Sequence, residues 1–354
     1  MKILYYHGAY PFCYYYRGYL PGVYSNQMVV QDFLRKDMTV DNSKVIEMAE
    51  KADVIVFQRP SDIKLLQLAH LLRIKGKKII FENDDTYEGI PLERLENEKQ
   101  IAIAREQADN LKAFASFADG VIASTETLKQ EYAKVNPNTR VLKNCIDPGD
   151  AFTCKQNTTG KFRVGFIGSV TTNDDYAHIK DQIRQMDKAG MTIVVMGIKY
   201  SDGTHIPIMN NDYEFWNSLE NIEWHPYCHI TEYMYKVSQL ALDVAIIPRL
   251  DHYFNRCKSN LKFLEMSLLK IPVIAQGFPD ELGPYDDIPS KYVTLVSDNT
   301  KWFQNVDYAK HNHAVFKKKA EDAHDYVLEH YNIIKYATEW TKQIEQLCKF
   351  QQNI

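Results

Sequence analysis

The sequence predicts an α/β protein built from two doubly wound domains, and three observations lead there. The chain has 354 residues, more than one hydrophobic core usually serves. Its first half alternates short, nearly continuous apolar runs with helical periodicity, as parallel α/β units do. After a polar stretch, Phe162-Arg163-Val164-Gly165-Phe166-Ile167-Gly168-Ser169 repeats the opening arrangement of a strand followed by a glycine turn.

In the first half, Ile3 to Tyr6, Asp53 to Gln58, Lys78 to Glu82 and Gly120 to Ser124 read as strands. Helices are expected between them at about 26–36, 62–75, 93–117 and 125–134. The pattern breaks around Val141 to Gly149, and the polar run Lys155 to Lys161 is the linker candidate. Beyond it, strands are expected at Thr192 to Met196, Asn221 to Trp224, Asp243 to Ile247, Pro272 to Ala275 and Tyr292 to Val296. The matching helices fall at about 174–189, 231–240 and 259–270, and Asn312 to Phe350 is helical in pattern. The expected domains are 1–150 and 161–330, with 331–354 a C-terminal helix placed to pack back on the first.

Composition narrows the class. Hydrophobic residues make up 45% and charged residues 25%, the balance of a globular protein. A net charge of −4 gives no global reason to bind nucleic acid, although a local basic face would escape that count. The amino terminus lacks the long apolar region of a signal peptide, and no apolar stretch approaches the roughly 18 residues that span a bilayer. Six cysteines without a Cys-x-x-Cys pair read as reduced thiols, so a cytoplasmic location is expected.

Two segments could hold phosphate. Gly165-Phe166-Ile167-Gly168-Ser169 closes a strand, so its amides either face a phosphate or merely permit a tight turn. The Gly-x-Gly-x-x-Gly fingerprint and the P-loop are absent, which argues against a dehydrogenase or a Walker-type ATPase. Pro248 to Glu265 joins an apolar strand to a helix through a cationic loop, the kind of loop that forms the ligand crevice in such sheets. Lys258 and Ser259 precede the helix, where a cation, a hydroxyl and free amides can hold a diphosphate. Glu265 lies about two turns on, where a carboxylate can accept from two vicinal hydroxyls. The plain alternatives are a solvated lysine and an exposed helix face, but Phe263, Leu264, Met266 and Leu268 make an acid costly there without a purpose.

The stretch from Pro248 through Ala275 resembles the nucleotide-sugar signature of GT-B glycosyltransferases, especially the large retaining family with a Glu-x7-Glu motif. Lys143-Asn144-Cys145-Ile146-Asp147 is similar to the family's Pro-Asn-Gly-Ile-Asp element, and Asp243 to Pro248 to the strand before its donor loop. The resemblance implies two Rossmann-like domains with a nucleoside-diphosphate sugar in the cleft between them, no further cofactor and no metal. It implies a donor set of Gly168, Ser169, Arg249, Asp251, Asn255, Arg256, Lys258, Ser259, Asn260 and Glu265. Lys258 would stabilise the departing diphosphate, and Glu265 would hold the ribose. Cys257 stands where the family's first Glu is expected, which hands sugar recognition to Asp251, Asn255 or Arg256.

The acceptor side is expected in the first domain. Asp84 and Asp85 close its third strand, where one could act as base toward a hydroxyl, both could bind a divalent ion, or both could cap the next segment. The implied absence of a metal favours the acceptor role. Tyr14, Tyr15, Tyr16 and Arg17 suit stacking on a sugar or base beside a phosphate, although packing would account for one or two of the rings. His225-Pro226-Tyr227-Cys228-His229 lacks a partner pair for zinc and reads as a turn. A glycan or lipid-linked glycan is the expected acceptor. The Lys-, Asn-, Ile- and Tyr-rich composition also suits an AT-rich phage genome, which makes hydroxymethylated DNA the alternative acceptor. A nucleotide-sugar epimerase and a non-catalytic sugar-binding module are the remaining readings.

Overall fold

The apolar runs form strands because β-branched and aromatic residues buried on both faces suit a parallel sheet covered by helices. Val54–Gln58 and Gly120–Ala123 are buried along their whole length. The structure is a computed structural model describing residues 1–7, 11–31, 42–89, 91–92, 95, 97–168, 173–199, 213–279 and 281–349. The described chain divides into two compact units. The first comprises Met1–Asp147, Cys257–Ser259 and Tyr331–Ile354, and the second Pro148–Arg256 and Asn260–His330.

The first unit contains β1 (Ile3–His7), β2 (Met28–Val29), β3 (Val54–Gln58), β4 (Lys78–Asn83), β5 (Gly120–Ala123) and β6 (Thr139–Val141). They pair in parallel in the order β2-β1-β3-β4-β5-β6, so the strand order reverses between β1 and β3. Asp62, Asn97 and Thr125 cap the helices Ile63–Ile74, Glu98–Phe117 and Glu126–Tyr132 by accepting from backbone amides. Gly76, at φ +80°, lets the chain leave the first of these and enter β4. Leu4, Ile55, Phe57, Ile79, Phe81, Phe114 and Val121 belong to the core on one side of the sheet. Helix Ile333–Lys349 belongs to the same unit, where the Asn138 side chain donates to Leu347 O at 2.8 Å.

Two local expectations fail here. Met28–Val29, read as part of a helix at about 26–36, is an edge strand, and 32–36 lie outside the described residues. Tyr14 to Tyr19, read as a segment trailing the first strand, is helical: Pro11–Tyr14 runs into a π-turn, Tyr15–Tyr19, and then Leu20–Tyr24. Gly18 packs under Tyr14, and any side chain at Gly18 would enter that ring.

The second unit contains β7 (Arg163–Ile167), β8 (Thr192–Lys199), β9 (Ile222–Pro226), β10 (Val244–Ile247), β11 (Val273–Gln276) and β12 (Thr294–Val296). Its parallel order is β12-β11-β10-β7-β8-β9. Counted from β7 as the first strand, this is the 3-2-1-4-5-6 order of dinucleotide-binding folds, with the reversal between β7 and β10. Gly190, at φ +73°, plays the part of Gly76 between Lys180–Lys188 and β8. Phe166, Ile183, Met186, Ile193, Trp216 and Trp302 lie in its core. Among the described residues no helix is long and apolar enough to cross a membrane.

Candidate active site

In an open parallel sheet the crevice beyond the strand ends opens where the strand order reverses, because neighbouring connections there leave to opposite faces. In the second unit that place is fixed by Gly168, just after β7, and Arg249, just after β10. Ser169 lies outside the described residues.

One carboxylate shapes the loop after β10. Asp175 is 1% exposed and accepts from Arg249 Nη1 at 3.0 Å, Asn255 Nδ2 at 2.6 Å and the Leu250 amide at 3.0 Å. A buried charge is tolerable when it is paired and fully hydrogen-bonded, and these three donors meet that need. Among the described residues Asn255 Oδ1 is buried without a hydrogen-bond partner, a polar atom that a polar ligand would satisfy. Asp251 is exposed and pairs with Arg256, which also reaches Glu281, both at 3.1 Å.

Further along the same loop, Asn260 precedes helix Leu261–Leu268 without capping it through its side chain. Glu265 is buried at 3% exposure, so it is not part of an exposed helix face. Its Oε2 accepts from Lys262 Nζ at 2.8 Å and from Tyr233 Oη at 3.1 Å. Lys262 Nζ also donates to Tyr233 Oη at 2.6 Å. Burial, and next the Glu265 charge, push the Tyr233 phenol well above its ordinary pKa. Tyr233 therefore keeps its proton and donates it to Glu265 while accepting from Lys262.

The first unit gathers a second polar cluster at the ends of β3 and β4. Asp85 is 4% exposed and receives Lys258 Nζ at 2.6 and 2.8 Å and Arg59 Nη1 at 3.1 Å. Burial pushes its carboxyl up, but Lys258 and Arg59 together outweigh burial and hold it below the usual aspartate range. Arg59 adopts φ +47°, an uncommon conformation for a non-glycine residue. Asp84 is half-buried, with Gln58 Nε2 at 3.4 Å. Ser259 Oγ accepts from Asn144 Nδ2 at 2.6 Å, and Cys257 is buried among apolar residues of the core. The place of the expected first Glu is thus a core position here.

The tyrosine and arginine segment is largely interior. Tyr14 Oη donates to Tyr5 O and accepts from the Val30 amide, and Tyr16 is buried. Arg17, 1% exposed, donates to Glu82 Oε1 at 2.6 Å, Leu142 O at 2.6 Å and Asn144 Oδ1 at 3.1 Å, and its guanidinium lies 4.8 Å from the Trp340 ring centre. Side chains so covered have no face to offer an acceptor in this conformation, and Tyr15 alone of the four is half-buried. Burial raises the Glu82 carboxyl to about 7 even with Arg17 opposing it.

Of the histidine segment, read as a turn, His225 and Pro226 instead lie within β9, with His225 Nε2 at 2.6 Å from Glu223, and His229 caps helix Ile230–Ser238. Among the described residues no three His, Cys, Asp or Glu side chains converge as metal ligands would. Sequence reasoning missed Asp175, Tyr233, Lys262 and Arg59; Asp175, Tyr233 and Arg59 acquire their roles from partners that only the fold supplies, whereas Lys262, three positions before Glu265 on one helix, was readable as its partner.

No protein-family model and no curated protein matches the sequence. Solved structures do match. HepE of Anabaena, in a structure with UDP-glucose, superposes with a TM-score of 0.67 at 12% identity, over 98% of this chain and 100% of that one. A glycosyltransferase of Rickettsia africae gives 0.62 at 10% identity over 99% and 98%. Sucrose-phosphate synthase of Thermosynechococcus elongatus gives 0.57 at 13% over 91% and 83%. The chain therefore has the fold of these enzymes, the GT-B arrangement of two parallel α/β sheets.

Proposed function

We propose that the protein transfers a sugar from a nucleoside-diphosphate sugar to an acceptor hydroxyl. The observation that carries this reading is the buried, doubly donated carboxylate of Glu265, in the helix that follows β10 at the reversal point of a dinucleotide-type sheet. A carboxylate costs several kcal/mol to bury, on the order of 2–7 even for a neutral polar group without partners, and recognition of a ribose diol gives it a purpose. The complexes of HepE with UDP and with UDP-glucose support the same donor class.

In this reading Lys258 and the amides at the start of Leu261–Leu268 stabilise the leaving diphosphate, where negative charge grows in the transition state. Arg249, Asn255 and Arg256 serve the donor sugar, and no metal takes part. Asp84, not Asp85, is the acceptor base: a carboxyl held below its ordinary range by two cations is a poor proton acceptor. The acceptor is a glycan or lipid-linked glycan, and the setting is cytoplasmic. The test is release of nucleoside diphosphate from a panel of nucleotide-sugars with and without candidate acceptors, hydroxymethylated DNA included. Release that requires no acceptor, or isomerised donor in its place, would overturn the reading.

A further inference from the structure

Glu265 is not presented alone. Tyr233, from helix Ile230–Ser238, and Lys262, three positions before Glu265 in its own helix, both converge on Glu265 Oε2 and also contact each other. We infer that Tyr233 and Lys262 are positioning residues that fix the Glu265 carboxylate for a ribose bearing its hydroxyls, and so select ribonucleotide over deoxyribonucleotide donors. The inference rests on the glycosyl-transfer reading above.

A glutamate side chain has three rotatable bonds, and a diol is recognised well only if both carboxylate oxygens are held in one plane at one place. Lys262 supplies charge and Tyr233 supplies direction, because a half-buried tyrosine on a neighbouring helix does not follow Glu265 if it rotates away. Tyr233 is itself tied to Lys262, whose ammonium donates to its hydroxyl at 2.6 Å. With Oε2 tied by two donors, the orientation of the whole carboxylate is set before a ligand arrives, and less ordering is left for binding to impose. Preorganisation of this kind sharpens selectivity: a site built around a hydroxyl pair loses most when one hydroxyl is missing.

The chemistry of the pair also separates it from ordinary packing. A helix surface would be served by Lys262 and Glu265 as an exposed pair, yet the Glu265 side chain is 4% exposed and that of Lys262 24%. Two donors on one buried oxygen is an arrangement for holding a carboxylate, not for solvating one.

The test is calorimetric binding of UDP and 2′-deoxy-UDP, with the GDP and ADP pairs run in parallel, to the full chain and to Tyr233→Phe, Lys262→Met and Glu265→Gln. The full chain should prefer the ribonucleotide by about tenfold or more. Tyr233→Phe and Lys262→Met should each cut that preference at least threefold while changing deoxynucleotide affinity less than twofold. A merely structural role would weaken both ligands equally and leave the ratio intact. If Glu265→Gln abolishes the preference and the other two keep it, the positioning role is wrong and the donor reading stands. If no diphosphate binds the full chain at millimolar concentration, both fall.

Discussion

Lys258 and Asp85 are 173 positions apart in the chain, and Lys258 Nζ reaches both Asp85 oxygens, at 2.6 and 2.8 Å. Arg59 closes the other side of the same carboxylate. A residue singled out for phosphate chemistry is thus held by one singled out for acceptor chemistry, and each constrains what the other can do.

Asp85→Asn should cost about 2–3 kcal/mol of stability, since removing one partner of a largely buried pair leaves the other charges uncompensated. The Asp85 carboxyl is depressed in the folded chain, so its contribution is present above the ordinary aspartate range and fades as pH falls through the folded value. Urea unfolding of both proteins at neutral pH and near pH 3 checks this: the gap should be large at the first and shrink at the second.

The same substitution should raise diphosphate affinity two- to fivefold, because the Lys258 charge is no longer shared with a carboxylate. Titration of Asp85→Asn with UDP reads the effect. Weaker binding in a folded variant would show that Asp85 is needed to hold Lys258 where the phosphate meets it.

Glu82→Gln should flatten the pH dependence of stability on the acidic side of neutrality. The folded chain keeps the Glu82 proton up to about pH 7, whereas an ordinary glutamate loses it near 4.5. Stability from this group is therefore complete below 4.5 and lost as pH rises through about 7, with a slope of at most about 1.4 kcal/mol per unit. Thermal melts across that window should fall less steeply in the variant, and parallel slopes would place the Glu82 carboxyl elsewhere on the scale.

Turnover should survive EDTA, because Lys258 and a helix terminus are assigned the diphosphate. Activity lost to the chelator and restored by manganese or magnesium would contradict the assignment.

Asp84→Asn should lower transfer at saturating donor by at least a hundredfold while leaving donor affinity within about threefold, the signature of a group that acts on the acceptor. Equal losses in both would move Asp84 into the donor site.

Most strands were legible because parallel sheets bury both faces, and runs such as Val54–Gln58 or Val244–Ile247 have no other reading. Thr139–Val141 escaped because three residues are too few to carry a periodicity, and Pro11–Tyr14 because it is a single turn; Asn42–Lys51 was readable, since Val45 and Ala49 stand four apart on one buried face. Glu265 was legible as an acid among apolar neighbours. Its partner Tyr233 was not, because a tyrosine at an ordinary helical position shows its value only when another helix brings a carboxylate to it. Arg17 misled for the opposite reason: an arginine among tyrosines looks like a surface for ligands until Glu82, Asn144 and Trp340 are seen to enclose it.

The helix Ile333–Lys349 belongs to the unit that begins at Met1, although the whole of the second unit lies before it in the chain. During translation the first unit therefore waits. Residues up to 147 leave the ribosome without Trp340 over Arg17 and without Leu347 against Asn138, and they stay so while roughly 180 more residues are made, on the order of 10–40 s at ordinary elongation rates. The second unit has all its strands before that wait ends. A nascent chain halted before residue 333 should accordingly carry a protease-resistant second unit and a protease-sensitive first one.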